Sequence, residues 1–416
     1  LQFIYLLMHE AGKTIQDAHD EIREAVDFLR YYAQQSASLN SQSSQLGPTG
    51  EDNILEYSPK GLVACISPWN FPLAITLGQI AAALVTGNTV IAKASEETSL
   101  IAFKAISLFF DHGLPKDALH LLLGNGEIGQ AIISSQTLDL VVFTGSLSTA
   151  KSIHSNLAAK PGKIIPLIAE TGGLNSMVVD SSALIERACD DIMRSAFNSA
   201  GQRCSALRLL LVHETIYEEL IFMLKGMMNE LIVGNPMDSS VDMGPMITLD
   251  AALELYDYLD QSDAARLSIF QPEILSEYGK QWFPPTLIEI NSIESLNEEK
   301  FGPILHVMQF TEDTLDSNLA EIEAKGYGLT FGIHTRIDAK AIHASRLISA
   351  GNTYINRDII GAVVESQPFG GKNLSGTGFK AGGPNYLIQF IDERTISINT
   401  VAIGGNAELL NQASED

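Results

Sequence analysis

Short unbroken apolar runs alternate along the chain with stretches whose apolar positions recur at helical spacing. Residues 1 to about 39 read as two helices, the first closing near Gly12 and the second marked on one face by Ile22, Val26, Leu29 and Tyr32. The segment 36–50, rich in Ser, Gln and Asn and ending Gly-Pro-Thr-Gly, reads as a loop, and 53–57 as a short strand before Pro59 and Gly61. Leu62-Val63-Ala64-Cys65-Ile66, bounded by Gly61 and Pro68, has the form of a buried parallel strand. That form recurs at 89–92, 119–123, 139–143, 208–212 and 304–307, with helices expected over 99–110 and around 184–199. The whole predicts an α/β chain. Near the end, 389–398 alternates and is expected to pair with the early strand.

At 416 residues the chain is too long for one typical core, so two domains are expected. A hydrophobic content of 45% with 18% charged residues is that of a folded globular protein. The net charge of -24, with no Lys/Arg cluster, weighs against nucleic-acid binding, because phosphate contacts need cations. No uninterrupted apolar run reaches the ~18 residues of a membrane span. The apolar opening lacks the basic start and small-residue cleavage site of a signal peptide. Three cysteines, an odd number, point to reduced thiols and a cytoplasmic location. Because the chain opens at Leu1 inside a helix, a further N-terminal part of its first domain is expected to precede it.

Chemistry concentrates at Phe197-Asn198-Ser199-Ala200-Gly201-Gln202-Arg203-Cys204-Ser205-Ala206. It sets one thiol among small residues beside a cation, Arg203, and a neighbouring cation lowers a thiol pKa. Cys65 and Cys189 lie in apolar patterns and read as small buried hydrophobes. Taken alone, Cys204 could equally be another core thiol. Asn70, between two prolines, could be a turn amide; Lys93 and Glu96 could be a surface pair; Glu170 could be an N-cap; Glu299 could belong to a solvated acidic face.

Four motifs in order decide among these readings: Ser67-Pro68-Trp69-Asn70-Phe71-Pro72, Ala169-Glu170-Thr171-Gly172-Gly173, Gly201-Gln202-Arg203-Cys204 and Glu298-Glu299-Lys300-Phe301-Gly302-Pro303. The set resembles the NAD(P)-dependent aldehyde dehydrogenase superfamily over nearly the whole chain. Towards the C-terminus, Gln367-Pro368-Phe369-Gly370-Gly371, Ser375-Gly376-Thr377-Gly378 and Lys380-Ala381-Gly382-Gly383-Pro384 resemble the 1-pyrroline-5-carboxylate dehydrogenases, most closely the dehydrogenase module of bifunctional proline utilisation A proteins. Val401 and Gly404-Gly405-Asn406-Ala407 continue that resemblance.

The resemblance implies a Rossmann-like NAD-binding domain (1–45 and 61–172), an α/β catalytic domain (173–385), a small β oligomerisation flap (46–60 and 386–400) that makes a homo-oligomer, and a tail (401–416). It implies Cys204 as nucleophile, Asn70 as oxyanion donor and Glu170 as general base. It assigns the NAD side to Ser67, Pro68 and Trp69, to Lys93 and Glu96 on the adenosine ribose, to Gly145 and Ser146 on the pyrophosphate, and to Glu299 and Phe301 at the nicotinamide. The pattern Gly124-Asn125-Gly126-Glu127-Ile128-Gly129 is left near the adenine. Phe71, Arg203, Ser205, Gly382 and Gly383 fall to the substrate, glutamate semialdehyde, the two glycines by binding its α-carboxylate through backbone N–H groups. Lys300, where an apolar residue is usual, brings a charge near the cofactor. FAD is implied only for the proline dehydrogenase half of a longer parent, and no metal is implied. A thiol hydrolase would require a histidine partner for Cys204, and none of the nine His residues sits in such a motif.

Overall fold

The computed structural model describes residues 1–39, 43–261, 268–273 and 279–403. The motif at Gly404-Gly405-Asn406-Ala407, with the rest of the 401–416 tail beyond Ile403, lies outside them. Helices α1 (Gln2–Glu10) and α2 (Ile15–Leu39) open the chain, followed by strands β1 (Ser43–Gln45) and β2 (Glu51–Pro59). The loop expected over 36–50 is thereby corrected. Its first residues complete α2, and its middle pairs antiparallel with β2, Ser44 opposite Ile54. No glycine or proline lies between residues 36 and 46, so the polarity of this stretch marks exposure rather than irregular backbone.

Next come β3 (Leu62–Ile66), α3 (Ala74–Val85), β4 (Thr89–Lys93), α4 (Ser99–Asp111), β5 (Leu119–Leu122), α5 (Gly126–Ser134), β6 (Leu140–Thr144), α6 (Leu147–Ala158) and β7 (Leu167–Glu170). These strands form a parallel sheet in the order β5-β4-β3-β6-β7. Its strands are apolar throughout because both faces are covered. Val63, Cys65 and Val142 pack with Phe28, Tyr32 and Ile80 on one side, and Ala64, Val141 and Phe143 pack with Ile132, Ile153 and Leu157 on the other. The strand order reverses between β3 and β6, and open α/β sheets bind ligands in the crevice at such a point. Ser67–Phe71 leaves β3 there, and Gly145 and Ser146 leave β6.

The second half runs β8 (Ser176–Val179), α7 (Ile185–Phe197), β9 (Leu209–His213), α8 (Tyr217–Glu230), α9 (Leu249–Gln261), β10 (Ser268–Phe270), β11 (Thr286–Glu289), β12 (Ile304–Phe310), α10 (Leu315–Ala324), β13 (Tyr327–Gly328), β14 (Thr330–His334), α11 (Asp338–Leu347) and β15 (Asn352–Ile355). Its seven-stranded sheet has the order β10-β11-β12-β9-β8-β14-β15, parallel except for β10. β13 pairs with β16 (Lys372–Asn373), and β17 (Ile391–Asn399) pairs antiparallel along β2 from Ile391 opposite Pro59 to Asn399 opposite Glu51. The α/β class read from the pattern is the one observed. Residues 386–390, expected in the flap, instead bury Tyr386, Leu387 and Phe390 in the core of the five-stranded sheet, so the strand that pairs with β2 starts at Ile391.

Candidate active site

The thiol is presented by a strained turn. After α7, Ser199 and Ala200 both hold φ 54°, and Gly201 follows at 63°. The left-handed region costs L-residues roughly 1–2 kcal/mol each, so side chains must hold the turn. Asn198 Oδ1 accepts from the Ser199 N–H at 2.9 Å, and the Ser199 hydroxyl donates to Asp17 on α2 at 3.0 Å. Gly201 is needed for space as well as for φ, since a Cβ there would stand 2.3 Å from Gly302 O.

Two buried side chains that sequence reasoning missed fasten the loop beyond the turn. Asn175 donates from Nδ2 to Cys204 O at 2.7 Å and to Ala206 O at 2.9 Å, while its Oδ1 accepts from the Thr330 N–H at 3.1 Å. Arg208, 2% exposed, donates to Gly302 O at 2.8 Å, to Arg203 O at 3.2 Å and to Glu299 Oε1 at 3.0 Å. A charged residue at the mouth of the apolar run 208–212 was the available signal for Arg208. Asn175 had none beyond its closeness to Gly173.

Glu170, Cys204 and Ser205 line one cavity of about 480 Å³ together with Phe71, Arg203 and Tyr32. Asn70 is buried beside it and donates from Nδ2 to Gln202 O at 3.1 Å, which leaves its second amide hydrogen available. Glu170 ends β7, where Gly371 N–H donates to its Oε2 at 3.1 Å, and a Cβ on Gly376 would approach that oxygen to 2.8 Å. Burial pushes this carboxyl up to about 8, against the Gly371 hydrogen bond and the charge of Lys380. It therefore keeps its proton at neutral pH and becomes a base as pH rises through about 8. Gly172 and Gly173 have no left-handed backbone; a Cβ on Gly172 would stand 1.7 Å from Glu299 Oε2, and one on Gly173 would stand 2.8 Å from Asn175 Oδ1.

The structure corrects the electrostatic reading of Cys204. Burial pushes its thiol up to about 12, and the Glu299 and Glu170 carboxylates push the same way, while the Ser205 N–H opposes them. Arg203 does not counter this, because its guanidinium is paired with Asp17 at 2.9 Å and donates to Ser199 Oγ at 3.2 Å. Arg203 instead stands with Lys13 around the Phe71 ring, 5.3 and 3.9 Å from its centre. Glu299 is itself pushed up to about 7 by burial, with Arg208 pulling it down.

The carboxylate anchor expected at Gly382 and Gly383 is corrected as well. Gly382 N–H donates to Tyr32 Oη at 2.9 Å, Gly383 N–H donates to Lys380 O at 3.2 Å, and neither glycine lines the cavity. Gly361, Ala362, Val363 and Val364 line it instead. Gly361 N–H is taken by Asp358 Oδ1 at 3.0 Å, whereas among the described residues the N–H groups of Ala362 and Val363 have no protein acceptor. A turn without a sequence signature gave no signal for this segment.

On the other side of the loop, the Trp69 and Phe301 rings meet edge to face at 5.6 Å. Ser67 is buried, its N–H donating to Lys93 O at 3.1 Å, and Pro68 follows it. Lys93 and Glu96 pair at 2.9 Å, a donor beside an acceptor. Ser146 caps α6 by accepting from Thr149 N–H at 3.2 Å, leaving the N–H groups just inside that helix start open to an anion. Gly145 N–H is not among them, since it donates to Glu170 O at 3.1 Å. Asn125 caps α5 in the Gly124–Gly129 stretch, accepting from Glu127 N–H at 3.0 Å. Lys300 turns away, pairing with Glu298 and lying 4.6 Å over the Tyr258 ring, so its charge is spent outside the site. Among the described residues, no helix is long and apolar enough to cross a membrane.

Comparison with known proteins bears on this arrangement. The model of the "Aldehyde dehydrogenase family" matches residues 1–396. The bifunctional protein PutA of Klebsiella aerogenes is 45% identical over 400 residues, which are 94% of this chain and 30% of that protein. A crystal structure of bifunctional proline utilization A (PutA) superposes with a TM-score of 0.94 at 48% identity, over 97% of this chain and 41% of that one. The 1-pyrroline-5-carboxylate dehydrogenase from Thermus with bound NAD superposes with a TM-score of 0.88 at 30% identity, over 95% of this chain and 78% of that one.

Proposed function

The chain belongs to the aldehyde dehydrogenase family, and from that premise we propose that it oxidises L-glutamate γ-semialdehyde, the open form of 1-pyrroline-5-carboxylate, to L-glutamate with NAD. The observation that carries this reading is the meeting of Cys204, Ser205 and Glu170 on one cavity, with the Asn70 amide fastened to the nucleophile loop.

The thiol must lose its proton to react, and the ionised Glu170 carboxylate on the same cavity is the base on hand. Cys204 Sγ then bonds to the aldehyde carbon. The resulting oxyanion is stabilised by the Asn70 amide and the Cys204 N–H, donors already in place before charge develops. NAD held beside this adduct would supply the hydride acceptor that its conversion to a thioester requires. Glu170 then removes a proton from water to hydrolyse that thioester. Lys93 and Glu96 would hold the adenosine ribose, the α6 start with Ser146 the pyrophosphate, and Glu299 with Phe301 the nicotinamide riboside. A carboxylate at Glu96 disfavours a 2′-phosphate, hence NAD over NADP. The Ser205 hydroxyl, with the open N–H groups of Ala362 and Val363, would take the α-carboxylate in place of Gly382 and Gly383.

NADH formation with glutamate semialdehyde, beside acetaldehyde and a Cys204→Ala control, tests the reading. Turnover with the semialdehyde, weak turnover with acetaldehyde and none in the control are expected. Equal turnover of both aldehydes would refute the carboxylate anchor, and activity in Cys204→Ala would refute the nucleophile.

A further inference from the structure

A half-buried ammonium that, among the described residues, has no carboxylate bonded to it stands behind Glu170. Lys380 Nζ donates to Gly351 O and lies 3.4 Å from Asn352 Oδ1, both neutral acceptors. Its backbone is fixed on either side: Phe369 N–H donates to Ala381 O at 3.0 Å, and Gly383 N–H donates to Lys380 O at 3.2 Å. The lysine stem and the Glu170 carboxyl meet across one glycine. A Cβ added to Gly370 would lie 3.1 Å from Glu170 Oε1 and 3.2 Å from Lys380 Cα and Cγ.

We propose that Lys380 is a positioning residue for thioester hydrolysis, its fixed and otherwise uncompensated ammonium holding the negative form of Glu170 in the glycine cradle, ready to take a proton from water. The inference rests on Glu170 being the base proposed above. In that step the water oxygen bonds to the acyl carbon, one water proton passes to Glu170, and the C–S bond breaks to return the Cys204 sulfur as thiolate. An unpaired cation in a partly dry site acts over several ångströms, because little water screens it. Among the described residues, Lys380 is the one cation that pulls Glu170 down against burial, and Glu170 in turn pulls Lys380 up against burial and the neighbouring Lys372. The other titratable groups facing the carboxyl are the Cys204 thiol and the Tyr386 phenol. Neither is cationic. Losing Lys380 therefore leaves Glu170 protonated over a wider pH range.

Hydrolysis of p-nitrophenyl acetate separates this inference from the aldehyde and cofactor assignments, since the ester acylates a thiol without NAD and the same base must release it. Turnover is followed from about pH 6 to about pH 10 in the wild type, Lys380→Met, Lys380→Gln, Lys380→Arg and Glu170→Ala. The glutamine variant keeps a donor for Gly351 O should the methionine variant fail to fold. Both neutral variants are expected to move the acidic limb up by about one pH unit, roughly tenfold slower turnover at neutral pH, with the rate above the limb unchanged. The arginine variant restores the limb. An acidic limb that stays in place in Lys380→Met or Lys380→Gln overturns the proposal. A Glu170→Ala variant as fast as the wild type would overturn the base assignment itself, and this inference with it.

Discussion

Around the Cys204 sulfur the Glu299, Glu170 and Glu24 carboxylates all push its pKa up, and among the described residues no cation pulls it down, so the resting thiol holds its proton. Charge at Glu299 is the largest of the three carboxylate effects on it. Replacing Glu299 with Gln removes that charge and lowers the thiol pKa. The cofactor-free variant is expected to react with iodoacetamide several-fold faster than the wild type near pH 8, a rise of under about one pKa unit in thiolate availability. Equal rates would show that burial alone sets the thiol. Glu170 makes the complementary case. Its folded pKa of about 8 lies above the ordinary 4.5, so the folded state keeps a proton that the unfolded chain releases first. Stability therefore falls as pH rises from about 4.5 to about 8 and is level above that. Glu170→Gln is free of this penalty. Its advantage in urea unfolding should be absent near pH 4 and grow to about 1–3 kcal/mol by pH 8, with hydrolysis lost.

At the scale of elements, the site depends on the turn between α7 and β9. Gly201 at φ 63° has Gly302 O and Ala196 O where a side chain would go. Gly201→Ala is expected to lose about 2–4 kcal/mol in thermal or urea unfolding. With the loop backbone displaced from the Asn175 and Arg208 hydrogen bonds, turnover at Cys204 should also be at least tenfold slower. Unchanged stability would mean that the turn relaxes freely. This turn also marks the limit of what the sequence discloses. Strands β3, β4, β6 and β12 were legible because each is a short apolar run beside a glycine or proline, whereas β8, β11 and β14 were not read; Glu170 and Asn70 were legible because each sits in a motif at the end of an apolar run, and Cys204 because its motif follows a helix. Partnership across the chain was not. Arg203 adjoins Cys204 in sequence, yet its charge goes to Asp17, 186 residues away. Gly382 was read as an open donor, yet Tyr32, 350 residues away, accepts its N–H. Local pattern reports which backbone is buried; it does not report which long-range partner reaches a polar group first.

At the scale of the whole molecule, the sheet of β1, β2 and β17 has no core of its own. None of the nine residues of β2 is buried, and in β17 only Ile391 is, at the end where it enters the body. Tyr57 and Ile398 are each 41% exposed, although Ile54 opposite Ile396 makes an apolar cross-strand pair. Three strands without a covered face are marginal in water, and an exposed sheet edge invites pairing with another chain. A second copy of the chain is therefore the expected cover for this sheet, as the flap reading supposes. Placing Glu at both Tyr57 and Ile398 puts charges on that surface without touching either large sheet. The double variant should run at a lower oligomeric mass than the wild type in light scattering, and the thermal transition of its body should shift by only a few degrees, because each change is to an exposed side chain. An unchanged mass would exclude this sheet as the contact between copies. A lower mass accompanied by loss of the folded body would instead mean that the flap supports the five-stranded sheet through the 386–390 turn.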